Sequence, residues 1–450
     1  MSSFVKRTKE TIPSARSGHV LLNDNKNQCI YVLGGYNDNG PLDDIYRYDY
    51  KINKWTKLIT SSSSSSSKII TTPLPRLECD CCLMSAGDNT NIYLFGGIQN
   101  IDDQVLIYND LWYYNTNKLS WLCIAEETPI SERSGHVLLS ISSNNFIVHG
   151  GECLGRWFDD TWLYDINQKK WILIAINGKK PIPRSSHSIV YCEDSNVIAL
   201  FGGVTSSSTQ HEMVHLNDLW ILDMKTNNDP KELIWQMVTF PGLSPSPRDL
   251  AALMSVGNGK IMIMGGYGLE EMVIEEVYED ADGNMKVVED IDDNNEINDD
   301  DDNELMDDED DDDDDDDDQE EAEKVAIESD SSKVEKASID DLNINGMAVS
   351  SIDRKVIEEQ NEDEENDDDD GIVDVVYLDD CWILDLNTKT SVEVDLEECI
   401  TNGKAVIPRR GMKMTRIIDD TRDIIITFGG FDGSSFYGTN ECIDTKKFLS

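Results

Sequence analysis

Apolar residues along this chain come in short runs, and the same polar turn keeps closing them. A double glycine follows an apolar triplet six times, at Tyr31-Val-Leu-Gly34-Gly35, Tyr93-Leu-Phe-Gly96-Gly97, Ile147-Val-His-Gly150-Gly151, Ala199-Leu-Phe-Gly202-Gly203, Met262-Ile-Met-Gly265-Gly266 and Ile426-Thr-Phe-Gly429-Gly430. Ahead of each stands an arginine that opens another apolar run: Arg16, Arg76, Arg133, Arg184, Arg248 and Arg409. After each pair comes an acidic or Asn-Asp element leading into an aromatic run, as in Asp43-Asp-Ile-Tyr46, Asn109-Asp-Leu-Trp112, Asp159-Asp-Thr-Trp162, Asn217-Asp-Leu-Trp220 and Asp379-Asp-Cys-Trp382. A tryptophan then starts a fourth run at Trp55, Trp121, Trp171 and Trp235. Runs this short, rich in β-branched and aromatic residues and bounded by glycine turns, predict strands.

Successive glycine pairs are 62, 54, 52, 63 and 164 residues apart. The last interval falls to about 60 once one acidic stretch is set aside, so the unit is four strands repeated six times. Together these residues resemble the Kelch repeat family, and the resemblance covers nearly everything outside 268–372. It implies an all-β, six-bladed propeller. The physics agrees: paired glycines supply positive φ where a strand turns sharply, aromatics of strands three and four fill the space between blades, and no blade buries both faces until neighbours stack against it.

The sixth unit ends with its third strand, because the chain stops at Ser450. Phe4 precedes Arg16 by the interval that separates Trp121 from Arg133. The N-terminal segment is therefore expected to supply the outer strand of the last blade and close the ring. The expected organisation is blades one to five, first part, in 1–268, with the N-terminal segment completing blade six; an acidic disordered insert in 269–371; and the rest of blade five with blade six in 372–450. Blade five lacks the outer-strand tryptophan and carries Val392-Glu-Val394 there.

Charge sharpens this picture. The chain carries a net −51, of which −42 lies between Glu270 and Asp370, leaving a mildly acidic body. Twelve consecutive acids occupy Asp307–Asp318. Low apolar content and self-repulsion give such a segment too little burial to offset chain entropy. It lies between strands two and three of blade five, which places it on the face where the six arginines begin their strands. There it can act as a solvated spacer, capture basic proteins, or occlude its own propeller. The N-terminus lacks a secretory apolar stretch and no run reaches membrane-spanning length. Ten cysteines are too sparse for a disulfide scaffold. These features predict a monomer of the cytoplasm or nucleus, with neither membrane nor direct nucleic-acid binding.

Candidate chemistry is limited. The six arginines serve their own blades' loops and packing, or form a positive rim that captures acidic peptide or phosphate groups. His211-Glu212-Met213-Val214-His215 matches a zinc-protease pattern by letter. That chemistry needs a helix, and on an extended chain the two imidazoles stand more than roughly 10 Å apart. His19, His136 and His187 occupy matching repeat positions and read as satisfied core histidines. Cys79-Asp-Cys81-Cys82 matches no zinc spacing. No nucleophile elbow, phosphate loop or Glu-x3-Asp-x3-His iron set is present, so no metal, cofactor or catalytic residue is expected. The reading is a protein-interaction scaffold that binds a protein or peptide partner through propeller loops. An acidic-tract binder of basic proteins and a Kelch-scaffold enzyme are the alternatives.

Overall fold

A computed structural model describes residues 12–58, 72–86, 89–101, 104–176, 178–206, 213–224, 232–269, 278–279, 285–286, 375–396, 407–418, 422–438 and 442–445. Every regular element among them is a strand. The chain divides into two units, Met1–Met272 with Met347–Ser450, and Val273–Gly346. Of the second unit, only the antiparallel pairing of Tyr278–Glu279 with Met285–Lys286 is described.

The first unit is a six-bladed β-propeller. Blade 1 pairs Val20–Asp24, Cys29–Leu33, Ile45–Asp49 and Lys54–Leu58 in chain order, all antiparallel. Blade 2 repeats this with Asp80–Ala86, Asn89–Phe95, Leu111–Asn115 and Ser120–Ala125. Blade 3 uses Val137–Ser140, Asn145–His149, Thr161–Asp165 and Lys170–Leu173. Blade 4 uses Ser188–Cys192, Val197–Ser206, Met213–Asp223 and Trp235–Val238. Blade 5 uses Ala252–Gly257, Lys260–Leu269, Val375–Asp385 and Thr390–Glu393. In blade 6 the described strands are Lys413–Ile418, Asp423–Phe428 and Cys442–Asp444.

The ring closes through its innermost strands, since each packs against the next and blade 1 meets blade 6. Backbone hydrogen bonds tie the blades in the same order. The second glycine of one blade donates to the arginine carbonyl of the next: Gly97 to Arg133 at 2.9 Å, Gly151 to Arg184 at 2.8 Å, Gly266 to Arg409 at 3.1 Å and, across the closure, Gly430 to Arg16 at 2.8 Å. Closure by the segment around Phe4 lies outside the described residues, as does most of the acidic insert. The last described rung at the insert's base, Leu269 opposite Val375, adjoins the Gly268–Arg248 pairing.

The seams between blades 6 and 1, 2 and 3, and 3 and 4 are stacks of rings on glycine. Trp171 of blade 3 lies 5.7 Å from Phe95 of blade 2, Trp235 of blade 4 lies 5.6 Å from His149 of blade 3, and Trp55 of blade 1 lies 5.8 Å from Phe428 of blade 6. Trp121 joins the cluster that spans blades 1 and 2. Beside these, His19, His136 and His187 stack edge-on against Phe428, Phe95 and His149 of the preceding blade. At Gly150 (φ 64°) a Cβ would stand 2.7 Å from His187 Cε1 and 2.8 Å from the Arg184 carbonyl. The first glycine of the pair thus makes room for the neighbour's imidazole, and the second for its own blade's inner turn. The seam histidines are buried as expected, but the ring nitrogens of His19 and His187 find no hydrogen-bond partner among the described residues. They fill space as neutral rings: burial lowers both, and pushes His136 and His149 down to about 3.

Blade 5 departs in register. Tryptophan faces Tyr48, Tyr114, Tyr164 and Leu222 in blades 1 to 4. The equivalent opposite Leu384 is Ser391, while Val392 points outward at 61 % exposure. Val394 and Leu396 pack into the core instead.

Candidate functional site

The repeat arginines stand at the start of each inner turn, and all six are at most 4 % exposed. Arg16, Arg76, Arg133, Arg184 and Arg248 each donate two hydrogen bonds to one aspartate at or just before strand three: Asp44, Asp110, Asp160, Asp218 and Asp380. Each also donates to the carbonyl of its blade's first glycine, at 2.9–3.3 Å from Gly34, Gly96, Gly150, Gly202 and Gly265. Its Nε bonds the carbonyl two residues back. The aspartate holds its own blade as well, accepting from the indole of Trp112, Trp162, Trp220 or Trp382 two residues on. Burial raises the Asp160 carboxyl and Arg133 more than offsets it, so the net shift is downward. Arg409 donates to Thr427 and lies under the Tyr437 ring, 5.3 Å from its centroid. The charges of Arg16, Arg76, Arg133, Arg184 and Arg248 are therefore matched inside their blades. The pairing with Asp44, Asp110, Asp160, Asp218 and Asp380 was legible as one acid two residues before the strand-three aromatic of blades 1 to 5, one for each of the first five arginines, but sequence reasoning treated the two sets separately.

Chemical individuality appears at the next two residues of the turn, which are Ser17-Gly18, Leu77-Glu78, Ser134-Gly135, Ser185-Ser186, Asp249-Leu250 and Arg410-Gly411. The second of each pair has positive φ in every blade, from 49° at Leu250 to 63° at Gly411. Backbone bonds link these turns around the axis: Gly135 to Glu78, Ser186 to Gly135, Leu250 to Ser186, Gly411 to Leu250 and Gly18 to Gly411, at 2.7–3.3 Å. This hoop frames the mouth of the propeller.

The mouth carries two unlike groups of side chains. On blades 5, 6 and 1, half-buried rings form a chain: Tyr267–Tyr377 at 5.1 Å, Tyr377–Phe431 at 6.2 Å, Phe431–Phe436 at 4.7 Å and Phe436–Tyr36 at 5.4 Å. The Arg410 guanidinium, 6 % exposed, lies 5.0–5.9 Å from the centroids of Tyr267, Tyr377 and Phe431. The other group is acidic and comes from blades 2, 3 and 5. Ser134 Oγ lies 2.9 Å from a Glu78 carboxylate oxygen and 3.4 Å from one of Glu152. Burial raises Glu78 against the pull of Ser134 and Arg410. Burial and then Glu78 raise Glu152. Asp249 is pushed up to about 7 by burial, with Arg410 opposing and Glu78 reinforcing. His215 Nε2 lies 4.0 Å from Asp249, and burial holds that ring down to about 4, so it is neutral at pH 7.

The remaining expectations can be placed. His215 sits on an extended strand, while His211 and Glu212 lie outside the described residues. Cys79, Cys81 and Cys82 have thiols raised by burial, which makes them poor nucleophiles and ligands. Among the described residues no cluster of three or more His, Cys, Asp or Glu could hold a metal ion. No helix there is long and apolar enough to cross a membrane.

Comparison with known proteins agrees with this geometry. Residues 26–58 match the Kelch motif, and residues 66–266 match the KLHDC2/KLHL20/DRC7 Kelch-repeats domain. The chain carries Kelch repeats. It is similar to host cell factor 1 of Homo sapiens, 24 % identical over 57 % of this chain and 12 % of that protein. It is also similar to an F-box/kelch-repeat protein of Arabidopsis thaliana, 28 % identical over 42 % of this chain and 39 % of the relative. The chain thus spans well under half the length of these relatives. A solved structure titled "Structure of YjhT" superposes with a TM-score of 0.54 at 14 % identity, covering 97 % of each chain, and shows the shared fold.

Proposed function

We propose that this Kelch propeller is a protein-interaction scaffold that seats a partner polypeptide on the mouth framed by its inner turns. The observation that carries this reading is the chain of half-buried rings, Tyr36, Tyr267, Tyr377, Phe431 and Phe436, gathered around Arg410. Aromatic residues and arginine are the side chains that anchor protein interfaces, because they bury much surface for little lost freedom. Kelch propellers are typically interaction scaffolds. The repeat arginines, buried and paired, support the loops that form this surface. The test is affinity capture with the full chain beside Tyr377→Ser and Phe436→Ser variants that unfold at the same denaturant concentration. Partners lost from both variants support the reading; partners retained by both overturn it. The acidic segment favours a second mode, capture of basic proteins, because it concentrates a net −42 in about a hundred residues. Partners of that kind are lost when 269–371 is removed and are indifferent to Tyr377.

A further inference from the structure

The acidic group at the mouth is costly to keep and has no evident structural task. Glu78 stands at φ 53° where blades 1, 3 and 6 place glycine, a conformation unfavourable for a side chain by about 1–2 kcal/mol. Its backbone joins the hoop as any residue would, accepting from Gly135. Its carboxylate reaches inward to Ser134, with Glu152 on the other side of the same hydroxyl. Asp249 replaces the serine of blades 1, 3 and 4. It is only 9 % exposed, and its Oδ1 has no hydrogen-bond partner among the described residues. Three carboxyl groups thus share one desolvated mouth, and the cation described beside Glu78 and Asp249 is Arg410, itself seated against three rings. A buried carboxylate oxygen without a bonded partner is unfavourable, and a well-placed cation relieves it.

We infer that the mouth accepts a lysine or arginine side chain of the partner polypeptide, its cation lying between Glu78, Glu152 and Asp249. This deepens the scaffold reading and rests on it. The ligand charge is opposite to the one that an exposed ring of arginines would select. The unbonded Asp249 oxygen supplies an acceptor already stripped of water, Ser134 fixes the two glutamates, and the half-buried rings beside Arg410 offer surface to the residues flanking the partner's cation.

The test uses the full chain and three capped, otherwise neutral Gly/Ser/Ala dodecapeptides. Each carries one benzophenone residue beside a single arginine, glutamine or glutamate. At about 0.3 M salt the Debye length is roughly 6 Å, which screens long-range attraction to the acidic segment. Cross-links are located by mass spectrometry. The arginine peptide is expected to label the inner turns around Glu78, Ser134 and Asp249 at least fivefold more than the glutamine peptide. Glu78→Gln, and separately a Glu152→Gln/Asp249→Asn pair, should each cut that labelling severalfold with unchanged unfolding. Equal labelling by the arginine and glutamine peptides, or arginine labelling confined to 269–371, overturns the inference. Preferential labelling of the mouth by the glutamate peptide also overturns it while leaving the scaffold reading standing. That reading fails separately, through partners retained by the Tyr377 and Phe436 variants.

Discussion

Blades 3 and 5 are built on one frame and differ where they face the axis. Both hold an arginine that donates two hydrogen bonds to an aspartate at or just before strand three, Arg133 to Asp160 and Arg248 to Asp380. In both, that aspartate accepts from a tryptophan indole. Blade 3 continues Ser134-Gly135-His136, in which the glycine takes φ 61° freely and the histidine fills the seam behind Gly96. Blade 5 continues Asp249-Leu250-Ala251, which places a carboxyl with an unbonded Oδ1 at the mouth and forces leucine to φ 49°. The difference teaches that the frame tolerates little variation, whereas the two residues after each arginine vary freely and give the mouth its chemistry.

Breaking the frame should have the largest effect. Asp160→Ala leaves Arg133 buried without its carboxylate, an expected loss of about 3–5 kcal/mol, read as a lower midpoint in urea unfolding. Replacing the pair together by Arg133→Met and Asp160→Leu should cost much less, since no uncompensated charge remains. A small loss from Asp160→Ala alone would show that the pair is dispensable and that the frame is held by the seams.

The seams come next. Gly150→Ala drives a methyl into His187 and the Arg184 carbonyl at positive φ, an overpacking worth about 1–3 kcal/mol. Gly34→Ala meets only the Leu42 carbonyl, at 3.3 Å, because the next blade carries Cys79 where blades 1, 3 and 4 carry histidine. It should cost about 1 kcal/mol, mainly backbone strain. Equal losses at the two glycines would remove the histidine from the explanation of the double glycine.

Acid should open the same seams. The unfolded chain protonates its histidines below their ordinary value near 6.5, while His136 and His149 stay neutral in the fold down to about 3. Their contribution is complete above pH 6.5 and falls as pH drops, by about 1.4 kcal/mol per unit for each ring. At pH 5 this amounts to about 2 kcal/mol for His136. Asp249 acts in the opposite sense, because its raised carboxyl keeps a proton that the unfolded chain has lost, so its contribution declines as pH rises toward 7. The ring's share is isolated by comparing wild type with His136→Asn in urea at pH 5, 6 and 7. The gap between them should narrow toward pH 5, and a gap that stays constant would show that His136 does not titrate on unfolding.

The frame was legible in the sequence because it repeats. Six glycine pairs, six arginines and the aromatic strands gave the blade number and the strand order without any contact being known. The mouth was hidden for the converse reason. Glu78, Asp249 and Arg410 stand at repeat positions but break the repeat, so each reads as a local departure until the ring brings blades 2, 5 and 6 together. Tyr36, Tyr377 and Phe436 are far apart in sequence and converge only by closure. The Ser391 register of blade 5 was equally out of reach, since Val392 resembles a core residue by type and only the pairing with Leu384 turns it outward.

The smallest expected effect separates function from frame most directly. Glu78→Gly returns blade 2 to the turn of blade 3. It relieves left-handed strain of about 1–2 kcal/mol and removes a desolvated carboxylate, while the added freedom of the unfolded chain offsets about 0.4–1 kcal/mol. The net expectation is a gain near 0.5–1 kcal/mol together with loss of arginine-peptide labelling at the mouth. Leu250→Gly is the control, because it relieves the same strain in blade 5 without touching a carboxylate, and it should leave labelling intact. A residue that weakens the fold and is needed only for the ligand is the signature of a binding site. If Glu78→Gly were destabilising instead, its carboxylate would belong to the frame, and the line between the invariant turn and the variable mouth would have to be redrawn at blade 2.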